Sequence, residues 1–521
     1  MSAEEQFDYV VVGAGSAGCV VAARLAEGRR HRVLVLEAGG WDRSIWIHIP
    51  IGFYKCFSNP RYNWGYTAEF DELVGARRVA WPRGRVIGGS SSINGLVYVR
   101  CQREDYDSWE AASASGWGWA GVGPYFDKAE ATPVGVSDAR YTHSLCDAFI
   151  EAAERCGVAR VRDFNGPHQA GAGYYRLNTR HGRRSSSAVA YLHPLRHCGN
   201  LEVRTECLVE RLDVRDGRLR GIWYRRDSHR HFTAVTREAV LCAGAIGSPQ
   251  LLQISGIGPA DVLERAGVEL VQELPAVGRN LQDHFASRVI SRVVRSRTLN
   301  EMSRSWLAQL GMGLQYVFAR RGPMTLGAVM AGLFVSLEGH ENRPDTQLLF
   351  GPLSTDDPSK GLHEFPGMTL TVCPLRPRSR GWLAIRSADP AEHPRIVANY
   401  LADAHDRRLL VNGLRFARTL LDTEPLKQFA GGEYLPGKEC MTDEQLLSFT
   451  RMRGGSIYHP AGTCRMGDGP DTVVDSRLRV RGIGGLRVAD ASIMPNIPSG
   501  NINAACLMIG EKAADLLKAD Q

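Results

Sequence analysis

None of the twelve cysteines in this 521-residue sequence stands in a Cys-x-x-Cys pair, so neither a zinc ribbon nor a thioredoxin-type site is expected. Their wide spacing outlines no disulfide framework, and reduced, buried thiols of a cytoplasmic chain are the expectation. No apolar run approaches the roughly 20 residues that cross a bilayer. The start, "MSAEEQFDYV", is acidic and lacks the basic head and apolar stretch of a signal peptide. The 63 Lys and Arg against 56 Asp and Glu leave a net charge of +7, but the arginines are scattered and form no basic stripe with interleaved aromatics, which argues against a nucleic-acid partner. The mild excess is compatible with peripheral contact at the inner face of a membrane or with an anionic partner. There is no internal repeat, no metal-ligand spacing and no Gly-x-Ser-x-Gly elbow of a hydrolase, and nothing excludes an oligomer.

What the chain does have is glycine, 56 residues of it, gathered into motifs. "DYVVVGAGSAGCVVAARLA" reads as buried strand, glycine turn, helix, and "HRVLVLEAGG" as a second buried strand ending in Glu37. In Gly13-x-Gly15-x-x-Gly18, Gly13 permits the tight turn, Gly15 lets a pyrophosphate approach the backbone beside Ser16 and Ala17, and Gly18 lets the helix pack close. The helix start supplies N–H donors and partial positive charge to phosphates. Glu37, followed by Ala38, is placed to accept the ribose hydroxyls. A dinucleotide site follows.

The far end narrows the choice of dinucleotide. "GGLRVADASIMPNIPSGNINAACLMIGEKAADLL" predicts a strand over 486–490 ending in Asp490, an irregular loop, and a helix from about 503. A second polar edge suits the ribityl chain of FAD, which NAD lacks. Between the ends, 141–158 has a helical period, 200–226 alternates as strands joined at Asp216-Gly217, and 237–259 repeats strand, turn, helix, with Ala243-Gly244 at the cofactor. The length exceeds one ordinary core. The expected fold is α/β, with a β-α-β FAD-binding domain of the Rossmann type (1–100, 200–284, 470–521) and an inserted mixed-sheet substrate domain (101–199, 285–469).

Four blocks together carry a family resemblance: "GAGSAG…LEAG", "GRVIGGSSSINGLVYVR" (84–100), "GAIGSPQLLQISGIG" (244–258) and "YHPAGTCRMG…VADASIMPNIPSGNIN" (458–503). In order and spacing the chain resembles the glucose–methanol–choline (GMC) flavoprotein oxidoreductases along essentially its whole length, most of all their bacterial choline- and alcohol-dehydrogenase-like members. The resemblance implies FAD. It implies that Val86, Gly89 and Ser90 pass the ring, that Asn94, Gly95, Leu96 and Val97 present main-chain N–H groups near its reactive edge, and that Val209 holds the adenine by its main chain. Trp64, Tyr458, Ala491, Asn501 and Ile502 join the cofactor-binding set. Some relatives tether the flavin through a histidine just before the Asn94 position; Ile93 stands there, which implies non-covalent FAD. Cys101, where many members have glycine, implies only a small packing change.

"GGSIYHPAGTCRMG" (454–467) holds one histidine, His459, in a stretch that is neither helix nor strand by pattern. Oxidising an alcohol removes a proton from oxygen and a hydride from carbon, and a histidine held near the hydroxyl is a fitting base. The family pairs this histidine with a His or Asn on the last loop, which is read as Asn503. Asp283 and His284 in "NLQDHF" form a candidate dyad, though a structural role fits them better. Choline-oxidising relatives carry a carboxylate for the ammonium group; it aligns with Met330, while Tyr458 and Trp64 offer aromatic faces. A neutral primary alcohol is therefore the expected substrate, with quinone or oxygen as electron acceptor. Choline oxidation, or a hydroxynitrile lyase with structural FAD, are the alternatives.

Overall fold

The β-branched run Val10–Val12 pairs on both sides, in parallel, with Val33–Leu36 and with the end of the strand His229–Leu241, as a strand buried on both faces must. The computed structural model describes residues 5–131, 134–339, 343–357 and 360–520. Leu201–Arg204 extends the sheet beyond Val33–Leu36 in parallel, and Leu486–Val488 lies parallel to Ala239–Leu241. The strands Leu208–Arg215, Arg218–Arg226 and His229–Leu241 form an antiparallel meander, whose Asp216-Gly217 turn has both residues at positive φ, 52° and 68°, as a tight hairpin needs. The parallel strands end at Gly13, Glu37, Cys242 and Asp490, so their carboxyl ends converge on one crevice. Gly13 (φ +95°) makes the turn into the helix Ser16–Ala26. A Cβ on Gly18 would lie 2.0 Å from the Gly13 carbonyl oxygen, so that close approach admits glycine alone.

A second, antiparallel sheet runs in the order Ala430–Leu435, Phe285–Val293, Gly367–Pro374, Thr346–Gly351, Ala331–Val335, Gly171–Tyr174. Its far face is covered by the amphipathic helices Ser144–Arg155 and Ala404–Leu421, with Phe149 stacked on Phe350 at 4.6 Å. Residues 101–199 do not all stay with this sheet. Helices Arg103–Ala111 and Trp119–Ala131 bury Tyr106, Trp109 and Phe126 in the nucleotide-side core, because their aromatic faces close over the C-terminal helix Asn503–Ala519. Cys101 takes φ +69°, so the departure from glycine there is a backbone strain rather than a packing change.

The two ends of the chain are clamped together. Glu511, with a fully buried side chain, receives Nε and Nη2 of Arg24 at 2.8 Å each and the Tyr191 hydroxyl at 2.8 Å. Burial works against the Arg24 charge, but the carboxylate raises its pKa above the ordinary value. Glu511→Ala leaves that guanidinium without its buried partner and is expected to destabilise the protein by about 3–5 kcal/mol. Glu511→Gln, whose one amide oxygen can still accept from Arg24 Nη2 and Tyr191, should cost less. Thermal melts of the two variants check the order.

Candidate active site

At the carboxyl ends of the parallel strands lies an open cleft. Gly13, Gly15, Ser16 and Ala17 line one end. The helix they open has no side-chain cap at Gly15 and no acid in its first turn, so its first N–H groups are left for a phosphate. Glu37 and Ala38 form the neighbouring wall. The Glu37 carboxylate accepts Ala14 N–H and Gly39 N–H at 2.8 Å each, and burial pushes its pKa up to about 7. Val209 lines the cleft near Glu37 through the adjacent strand; Trp64, Gly89 and Ser90 line its floor; Ala243, Gly244, Asp490 and Ala491 close it. Asp490 ties these last together, accepting Gly244 N–H at 2.9 Å, the Ser248 hydroxyl at 2.5 Å and Ser492 N–H at 2.8 Å. A long crevice with free helix N–H groups at one end and buried carboxylates along its side fits a flavin dinucleotide.

The loop expected at the flavin's reactive edge is held from behind by a residue that sequence reasoning missed. Arg184, 2% exposed, donates Nη1 to the Asn94 side chain (2.7 Å) and to Ser91 O (3.0 Å), and Nη2 to Asn94 O (2.8 Å). Burial without a carboxylate brings its pKa down to about 9. Val86 and Ile93 sit in a small apolar cluster with Ile47 and Cys56. Leu96 takes φ +70°. Gly95 O accepts Ala328 N–H, and Val97 bridges to Leu177.

His459 stands beside the cleft in a loop zipped onto residues 282–286. Gly455 and Ser456 pair with Ala286 and Phe285, Ile457 N–H donates to His284 O, and Ala461 pairs with Gln282. Asp283 accepts His459 N–H at 2.7 Å, the Ser456 hydroxyl at 2.5 Å and the Tyr400 hydroxyl; it shapes the loop and is no partner of the His459 ring. Arg83, which lines the cleft, donates to Tyr458 O at 2.7 Å, and Tyr458 takes φ +72°.

The ring of His459 has two partners. Its Nδ1 lies 2.9 Å from His284 Nδ1, and its Nε2 lies 3.2 Å from Asn501 Nδ2. The other nitrogen of His284, Nε2, is 2.9 Å from Leu375 O. A carbonyl only accepts, so His284 Nε2 carries the proton and its Nδ1 is the acceptor. His459 Nδ1–H then donates to it, and His459 Nε2 keeps a lone pair. Burial brings His284 down to about 4. Burial first, then His284 and Arg83, hold His459 well below the usual imidazole range of 6.5. Both rings are neutral at neutral pH, with a basic nitrogen turned toward Asn501.

Two expected placements are corrected. Asn503 does not meet His459. Its Oδ1 accepts the Ser16 hydroxyl at 2.8 Å and its Nδ2 donates to Asn178 at 3.1 Å, because the helix begins at Asn503 and turns that side chain toward the nucleotide turn. Asn501, two residues earlier and still in the loop, takes the place, with Gln347 Nε2 3.4 Å from its oxygen. Ile502 is buried in the nucleotide-side core. Met330 is 4% exposed and its sulfur takes the Cys146 thiol at 3.9 Å; it faces the helix Ser144–Arg155, on the side of the sheet away from His459. The strand Phe285–Val293 carries a charged side chain, Arg288, which donates to Thr355 O at 3.3 Å and lies within electrostatic reach of Tyr458, Asp356 and Asp357. Among the described residues no His, Cys, Asp and Glu group has the arrangement of a metal site.

The profile of the GMC oxidoreductase family matches residues 7–286 and 377–510. The chain belongs to that family of FAD-dependent oxidoreductases acting on CH–OH groups. It is 37% identical to alcohol dehydrogenase [acceptor] of Pseudomonas putida, covering 98% of this chain and 95% of that one. It is 40% identical to mitochondrial choline dehydrogenase of Homo sapiens, covering 99% and 90%. Among solved structures it is similar to pyridoxine 4-oxidase from Mesorbium loti (TM-score 0.88, 31% identity, 98% of both chains). Formate oxidase gives a TM-score of 0.92 at 26% identity over 100% of this chain and 99% of the other.

Proposed function

We propose that the protein oxidises a neutral primary alcohol to the aldehyde, with His459 Nε2 as the base. The observation that carries this reading is the tautomer chain Leu375 O–His284–His459, which leaves one unprotonated imidazole nitrogen beside an amide donor. The alcohol oxygen would sit between them, giving its proton to His459 Nε2 and accepting a hydrogen bond from Asn501 Nδ2. Negative charge growing on that oxygen is then stabilised by a group already in place. FAD, when bound, supplies the acceptor for the hydride that leaves the carbinol carbon. The relatives are named for either acceptor, alcohol dehydrogenase [acceptor] on one side and oxygen-dependent choline dehydrogenase on the other, so quinone or oxygen is the proposed acceptor.

Choline is the second reading, supported by the choline dehydrogenases among the relatives. Arg288 weighs against it. A cation within electrostatic reach of Tyr458, even with Asp356 and Asp357 opposing its field, is a poor neighbour for a quaternary ammonium, which seeks aromatic faces and carboxylates.

His459→Ala should keep FAD and lose about 10²–10⁴-fold in alcohol-driven flavin reduction, the range of a general base. Asn501→Ala should slow the same step, while Asn503→Ala should act on flavin retention. Anaerobic stopped flow with primary alcohols, choline and mandelonitrile reads all of this. Bleaching by choline alone would replace the neutral-alcohol reading, and cyanide release without bleaching would replace the redox one.

The pH dependence has a definite sign. A base works only when unprotonated, and His459 lies below 6.5. The rate of flavin reduction should therefore stay level from pH 8 down past about 6.5 and fall only on the acid side of that value. An acid limb centred at 7 or higher would exclude His459 as the titrating group.

We also propose that the FAD is held without a covalent bond. Ile93 offers no nucleophile, and Cys506, which lines the cleft, has its thiol pushed up to about 12 by burial and is a weak nucleophile. Acid precipitation should release all the flavin into the supernatant; yellow colour kept in the washed pellet would show a covalent link.

A further inference from the structure

The helix Trp306–Ala319, sequence WLAQLGMGLQYVFA, has no charged residue in 14 and buries only Tyr316. Sixteen large apolar side chains are exposed among the described residues, and six of them are on this one helix: Trp306, Leu307, Leu310, Leu314, Val317 and Phe318, exposed by 50% to 84%. At 100° per residue they fall within an arc of about 120°. A scatter of single exposed apolar residues needs no explanation, but a continuous stripe on one helix marks a docking face.

The charge around the helix says what docks. At its C-terminal end stand Arg320 and Arg321, with Arg140 donating Nη1 to Arg320 O at 3.3 Å. The hairpin carrying Arg183 is pressed against the same carbonyl, since a Cβ on Gly182 would come within 2.6 Å of it. None of these four arginines has a carboxylate within 4.0 Å among the described residues. At the other end Arg304 is already matched, 3.8 Å from the Glu364 carboxylate. A second copy packed antiparallel on this helix would set the four arginines against its Arg304 end, where the Glu364 carboxylate is already shared with Arg304. Phosphate-bearing headgroups would bring unshared counter-charge, while the stripe enters the acyl boundary.

We propose that the helix Trp306–Ala319 is an interfacial anchor that lies in the surface of an anionic bilayer. No helix among the described residues is long and apolar enough to cross a membrane, so the attachment is in the plane of the surface. The chain leaving the helix reaches Ala328, whose N–H is bonded to Gly95 O, so the anchor and the loop beside the cleft are joined by a short path. The proposal does not depend on which alcohol is oxidised.

Flotation of the holoenzyme with vesicles of phosphatidylcholine alone, and of phosphatidylcholine mixed with phosphatidylglycerol, tests this. The protein should rise with the mixed vesicles and less so as salt is added. Arg320→Ala and Arg321→Ala should each weaken binding by about fivefold. Leu310→Glu with Leu314→Glu should abolish binding while flavin content and alcohol-driven reduction stay as in the wild type. Failure of the wild type to rise with mixed vesicles would overturn the proposal, as would equal binding by the double Glu variant. So would light scattering that shows a dimer split by those two substitutions and no lipid binding.

Discussion

A backbone carbonyl has no proton to give, and that plain asymmetry at Leu375 O organises the site. Leu375 follows directly on the strand Gly367–Pro374 and its N–H is fixed to Asp345 O at 2.8 Å, so the carbonyl's direction is set by the sheet. Through His284 it decides which nitrogen of His459 is bare. Two stacked choices of tautomer are made by one acceptor that cannot reverse its role, and no carboxylate is spent on the ring. Asp283, the acid next in sequence to His284, is used for the loop backbone instead. A carboxylate on His459 Nδ1 would favour the imidazolium; with an imidazole there instead, burial, then His284 and Arg83, all lower the ring's basicity.

The same sheet also explains how a glycine-rich loop can be rigid. The strand Phe285–Val293 sends Phe285, Val289 and Val293 into the substrate-side core, and the backbone just before it zips residues 455–461 into register. Arg83 and Asp283 secure the loop from two sides. The positive φ of Tyr458 is therefore a strain the surroundings impose, and it is located one residue from the group the chemistry is proposed to use. The Asn94–Val97 loop repeats the arrangement, with Leu96 at positive φ and Arg184 gripping Asn94. Each of the two loops flanking the cleft is fixed by an arginine reaching backbone carbonyls.

Much of the nucleotide half was legible because its constraints are local. A turn that tolerates only Gly13, a contact that tolerates only Gly18 and an acid at the end of the next strand are all written within forty residues. The residues that complete the site were not legible in this way. Arg184 and Gln347 come from distant segments with nothing in their own neighbourhoods to signal a function, whereas Arg83 abuts the 84–100 block and His284 stood in a candidate dyad whose relay role the sequence did not reveal. Asn501 and Asn503 differ by whether they precede or begin the last helix, and boundaries are what patterns place least well. Met330 was assigned by alignment to the pocket, whereas the pleat of the sheet sends it to the opposite face.

The proposal that the substrate is neutral rests on the same face of that strand. A pocket for a quaternary ammonium must compensate a permanent charge after stripping its water, since an unpaired charge in low dielectric is costly. Arg288 on the strand Phe285–Val293 lies within electrostatic reach of Tyr458 and is desolvated enough that its pKa falls below the ordinary guanidinium value. A positive ligand would add repulsion to a cation already short of solvent. A neutral alcohol adds none, and its hydroxyl needs only the lone pair of His459 and the amide of Asn501. In the proposed reading, Arg288 is the side chain of this chain at which a neutral alcohol and a quaternary ammonium would make opposite demands.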